Sequence, residues 1–143
     1  MIIMDKRTDE LMKMLNAEKQ IEHYILENTE EFLDVPLYAY LNQLLKKYKI
    51  PKNDIIKRSC LNQIYGYQIF AGTKMPSRDK LIALIFGFPL NLEDAQRLLR
   101  VGQVSELYPR KKRDSIILFG LRKQLHIQEV DDLLFELGEK TIL

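Results

Sequence analysis

Two amide side chains, Asn62 and Gln63, stand side by side in LNQIYGYQIFAGTKMPSRDK, residues 61–80, and a third, Gln68, follows within the same stretch. Asn and Gln pair bidentately with adenine N6 and N7, so the chemistry they offer is recognition of a base edge. Cations surround them. Residues 46–80 carry nine Lys and Arg against Asp54 and Asp79, a balance of +7 in a chain whose formal net charge is only +2. Residues 1–35 carry four bases and nine acids, a balance of −5. A basic block inside a folded chain is the footprint expected for a polyanionic partner, and a solvated lysine-rich helix face is its alternative.

The groups needed for bond-making are sparse. Two histidines, His23 and His126, and one cysteine, Cys60, do not assemble a zinc or iron site with ordinary spacing, so no metal and no cofactor is expected. There is no glycine-rich phosphate loop, and no Ser or Cys nucleophile has a nearby histidine. The acids at 93, 94, 131 and 132 are expected in first turns or on polar faces, where the helix dipole favours them. These absences point away from an enzyme and leave no catalytic residue to name. The opening MIIMDKRTDEL turns acidic too early for a signal peptide, and no apolar run approaches the roughly 20 residues of a membrane span. The single cysteine suits a reducing compartment, and a cytoplasmic location is expected.

Helices must position these side chains, because every periodic segment has a helical period. Leu37, Leu41, Leu44, Leu45 and Tyr48 form one stripe, with Asp34 as the expected cap and Pro36 in the first turn. A short helix holding Ile55 and Ile56 runs to about Ser59. The next spans about Asn62 to Ala71 and stops at Gly72, and Ser77 caps RDKLIALIFG. The acidic start reads as one or two amphipathic helices broken near Asn16 and Asn28. At an offset of 35 residues, RDKLIALIFGFPLNLEDAQRLL lies over RDSIILFGLRKQLHIQEVDDLL without a gap. Arg78 and Asp79 match Arg113 and Asp114, and apolar positions fall on apolar positions. Two similar hairpins, 77–102 and 113–138, are expected side by side, each covering the other's apolar face.

With KNDIIKRS as first helix, CL as turn and NQIYGYQIFAGTKMPSRDKLIAL as second helix, exit loop and next helix, the segment 37–88 resembles the helix-turn-helix domain of the phage-repressor and Cro superfamily, the XRE family. Ile69 stands where that family keeps an apolar residue, and the G-x-x-x-P-S run matches its usual exit. The resemblance implies an all-α, five-helix-type lambda-repressor-like domain. It implies base contacts from Asn62, Gln63, Ile64, Tyr67 and Gln68, and phosphate contacts from Lys52, Thr73 and Lys74. The chain departs from the family's pattern at three positions. Ile56 replaces a small residue, Cys60 a glycine in the turn, and Gly66 a branched aliphatic. Ile56 and Gly66 are expected to touch, one filling the space the other vacates.

The organisation expected is an acidic helical segment over 1–35, a helix-turn-helix domain over 36–88, and C-terminal helices over 89–143 for dimerisation or partner binding. Leu134, Phe135 and Leu137 are the apolar side chains expected at the exposed edge. The function implied is a DNA-binding transcriptional regulator, a homodimer reading double-stranded DNA at two half-sites. The alternative is a protein-interaction adaptor on the same scaffold that binds a protein partner and not DNA.

Overall fold

The computed structural model describes residues 7–143, so the opening residues used in the signal-peptide argument lie partly outside it. Among the described residues there are nine α-helices and no strand, which makes the protein all-α. No helix among them is long and apolar enough to cross a membrane. The chain divides into two compact units, Met1–Asp34 and Val35–Leu143.

The smaller unit holds α1 (Thr8–Ala17) and α2 (Ile21–Glu27), followed by a 3-10 turn at Thr29–Glu31. The breaks fall at residues 18–20 and at Asn28, close to the two asparagines expected to interrupt the helices. Asn28 donates both its backbone N–H and its Nδ2 to the Tyr24 carbonyl, closing the end of α2. On the exposed side, His23 lies 3.1 Å from Glu18 and 3.1 Å from Glu27.

The larger unit begins with α3 (Leu37–Tyr48), capped at Pro36 and not at Asp34. Proline supplies the fixed φ that starts a helix, and no side-chain cap is formed there. The predicted stripe is the buried face: Leu37, Leu41 and Leu44 are in the core, with Leu45 and Tyr48 packed against it. Lys49 turns the chain with φ 55°, and Pro51 caps α4 (Lys52–Arg58). Next come α5 (Gln63–Ala71) and α6 (Arg78–Gly87), the latter capped by Ser77, whose Oγ accepts from the Lys80 N–H. In α6, Leu81, Ile82, Ala83, Leu84 and Ile85 are all buried, so this helix is the axle of the core. α5 packs on α3 and on α4, α4 packs on α6, and α3 packs on α7 (Leu92–Val101).

α8 (Lys112–Arg122) and α9 (Ile127–Glu136) complete the fold. The 35-residue echo is structural, because the two hairpins α6–α7 and α8–α9 exchange ion pairs at their starts. Arg78 of the first forks onto Asp114 of the second at 2.9 and 3.1 Å, and Arg113 of the second reaches Asp79 of the first at 2.9 Å. Each arginine also clamps the loop that leaves its own hairpin. Arg78 donates to the carbonyls of Ser105 and Glu106, and Arg113 to those of Lys140 and Thr141.

Two expectations need correction here. Asp131 is not on a polar face. It is buried, and its carboxylate accepts the N–H groups of Ile142 and Leu143, just as Gln96 accepts that of Leu107 one repeat earlier. Leu134 is not at an exposed edge but fully buried, while Phe135 and Leu137 are exposed. The hydrophobic count along α9 suggested a wider open face than the packing leaves.

Candidate nucleic-acid interface

A four-residue turn, 59–62, joins α4 to α5. Its tightness depends on Cys60, which adopts φ 57° in the left-handed region that glycine occupies without cost. Ser59 is buried and donates its hydroxyl to the Ile55 carbonyl, closing the end of α4. Asn62 then caps α5: its Oδ1 accepts the Tyr65 N–H at 3.0 Å. The cap uses one lone pair of that oxygen and leaves the Nδ2 protons outward.

The expected contact between Ile56 and Gly66 is present. A Cβ placed on Gly66 would lie 2.6 Å from Ile56 Cγ2 and 2.9 Å from Cγ1, so the isoleucine occupies the volume a side chain on α5 would need. This brings α4 and α5 to close approach. Ile69 and Phe70 bury the far half of α5, and Asn42 on α3 ties down its end by donating to the Phe70 carbonyl at 3.1 Å. Gly72, at φ 83°, terminates the helix against the Tyr38 ring.

With one end anchored, α5 turns its first residues outward. Asn62, Gln63 and Ile64 are exposed, Ile64 at 70% of its surface. Tyr67 is 37% exposed, and it is not loose: its hydroxyl meets Asn53 Oδ1 at 3.1 Å and Lys52 Nζ sits 5.4 Å from its ring centroid. A cation held over an aromatic face is attracted to the ring's quadrupole, so Lys52 and Tyr67 orient each other. Gln68 is half-buried, and its carbonyl accepts the N–H groups of Thr73 and Lys74 and the Thr73 hydroxyl. Thr73 therefore donates inward, while Lys74 stands exposed at the loop.

Lys49, before α4, and Lys57 and Arg58, at its end, are also exposed. Asn42 and Asn53 were not singled out in the sequence. Nothing in an isolated asparagine signals that it clamps a neighbouring helix or seats a tyrosine 14 residues away. Among the described residues no group of three His, Cys, Asp or Glu gathers as a metal site. Comparison with family models, curated proteins and solved structures found no match in any of the three.

Proposed function

We propose that the chain is a sequence-specific double-stranded DNA-binding transcriptional regulator of helix-turn-helix type, with α5 reading the major groove and α4 crossing the backbone. The observation that carries the proposal is the first turn of α5, where Gln63 and Ile64 are exposed one turn before Tyr67, which holds Lys52 over its ring. An amide on the first turn of a groove-bound helix meets base edges, and flanking lysines meet phosphates. In this reading Gln63 and Gln68 pair with bases, Ile64 meets a thymine methyl, and Asn62 both caps the helix and offers Nδ2 to a base. Tyr67 lies alongside, and Lys52 and Lys74 hold the backbone, joined by Thr73 when its hydroxyl proton turns from the Gln68 carbonyl to a phosphate oxygen. The chain acts as a lambda-repressor-like module of the XRE type and works as a homodimer on two half-sites.

A salt series on duplex DNA tests this. Affinity for an operator selected from genomic fragments should fall steeply with salt, because cations are released from the phosphates. Lys52→Ala and Lys74→Ala should weaken binding to all sequences alike. Gln63→Ala should instead cost about 1 to 3 kcal/mol of discrimination at one base pair.

One observation favours a second reading, a protein-interaction adaptor built on the same scaffold. Ile64 and Met75, at 70% and 59% exposure, put apolar area on α5 and on the loop that follows it. Apolar anchors of this size serve protein interfaces better than phosphate-lined grooves. Duplex affinity indistinguishable from zero at low salt would decide for that reading.

A further inference from the structure

The repeat relates faces as well as sequences, and one face that is covered in the first hairpin is open in the second. Between α6 and α7, Leu81, Leu84 and Leu98 are fully buried. α4 lies against α6 where Gly87 meets Ser59 and Ile55, and α3 lies against α7 where Asp94 accepts from the Tyr48 hydroxyl and the Lys47 ammonium. The counterparts one repeat on are Ile116, Phe119 and Leu133. With Leu137 they line an open groove of about 320 Å³, with Phe119 46% and Leu137 49% exposed. The counterparts of Gly87 and Asp94 are Arg122 and Glu129, both exposed.

The rims of this groove differ in charge. Along α8 the helical period places Lys112, Arg122 and Lys123 on the groove side, and along α9 it places Glu129, Asp132 and Glu136 there, all exposed. A surface with one basic wall, one acidic wall and an apolar floor is complementary to itself under one particular rotation. We propose that this groove is the interface with a second copy of the chain, in an isologous dimer whose two-fold axis runs along the groove. That axis lays each α8 over the partner's α9, so unlike charges meet above joined apolar floors. An axis perpendicular to the groove would set α8 on α8 and oppose cation to cation. The surface deepens the DNA reading, since it names the interface of the homodimer proposed there, and it is argued from the repeat without any base contact.

Sedimentation equilibrium of the full chain without DNA, under reducing conditions so that exposed Cys60 forms no disulfide, tests the inference. A mass twice the 16.9 kDa of one chain is expected. Phe119→Glu should raise the dissociation constant at least about a hundredfold with an unchanged circular-dichroism spectrum. Lys112→Glu, and separately Glu136→Lys, should each weaken self-association, because the two residues lie level across the groove and meet in the dimer, and mixing the two variants should restore a heterodimer. A wild-type chain still monomeric at about 1 mM overturns the proposal. So does a folded Phe119→Glu variant, or either rim variant, that keeps wild-type association. Because DNA is absent, the readout fails or succeeds independently of the salt series.

Discussion

Hairpins α6–α7 and α8–α9 repeat each other bond for bond at their ends, while their surroundings differ. Each begins with an arginine that pairs with the other hairpin's aspartate, through two bonds from Arg78 and one from Arg113, and clamps its own exit loop at positions 27 and 28 residues on. Each has a side-chain oxygen on its second helix, Gln96 or Asp131, that takes a loop N–H. Yet α6 is sealed by α4 whereas α8 faces an open groove. The repeat therefore separates two contributions that single proteins usually confound: what a hairpin's own bonds supply, and what its cover supplies.

The reciprocal ion pairs are the first place to break the comparison, because they are unequal. The Asp114 side chain is 3% accessible, but that of Asp79 is 23%. Arg78→Ala strands a buried carboxylate and should destabilise by about 3 to 5 kcal/mol, while Arg113→Ala should cost roughly 1 to 2 kcal/mol, read by urea unfolding. The asymmetry has a pH signature. Burial pushes the Asp114 carboxyl up, but the Arg78 hydrogen bonds, the Tyr108 N–H and the charges of Arg78 and Lys111 outweigh it and hold the group below its usual 3.8. Its stabilising contribution is thus present above pH 3.8 and lost as pH falls through the lowered folded value. The gap between wild type and Arg78→Ala should narrow in that acid range. A gap that stays constant would mean the arginine acts through packing alone.

Cover is tested at Gly87 and its counterpart Arg122. A Cβ at Gly87 would lie 2.1 Å from Ser59 Oγ and 2.6 Å from the Ile55 carbonyl oxygen, which is backbone and cannot swing aside. Gly87→Ala should therefore cost about 3 kcal/mol by forcing α4 off α6. Arg122→Ala, at the same place in the repeat but exposed, should stay within about 0.5 kcal/mol in the Phe119→Glu background, where the proposed interface is broken. Equal effects would remove the claim that α4 seals one hairpin and not the other.

Much of this was legible in the sequence, for identifiable reasons. Helix existence followed from 3.6-residue periodicity, and the ends at Gly72 and Ser77 followed from backbone preference and capping, both of them local signals. The Ile56–Gly66 exchange was also legible, because the helix-turn-helix resemblance implies that the two positions touch, and contact couples residue volumes. Gly66→Val should destabilise by about 2 kcal/mol, and Ile56→Ala in the same chain should recover part of that. A neutral Gly66→Val would mean α5 shifts freely. The cover of each repeat was not legible, since sequence similarity equates Leu84 with Phe119 and cannot report that α4 stands over only one of them. Nor were the duties of Asp131 and Asn53 visible, because a carboxylate or amide takes its partner from loops that periodicity does not place.

The smallest test concerns the exits of the two hairpins, where the same backbone turn is made by different residues. Gly138 has φ 78° and Gln103, its counterpart, φ 60°, so both chains turn through the left-handed region. Nothing lies within 4 Å of a Cβ on Gly138, and substitution there meets no steric contact. Gly138→Ala should accordingly cost about 1 kcal/mol through the backbone alone, and Gln103→Gly should gain a few tenths, with the entropy of a freer unfolded chain offsetting part of the relief. If the two exits are equivalent, these changes have opposite signs in thermal unfolding, the gain being the smaller. If Gly138→Ala is the only one with an effect, the first loop is held by the Arg78 clamp strongly enough to absorb its own strain, and the repeat is symmetric in geometry but not in energy.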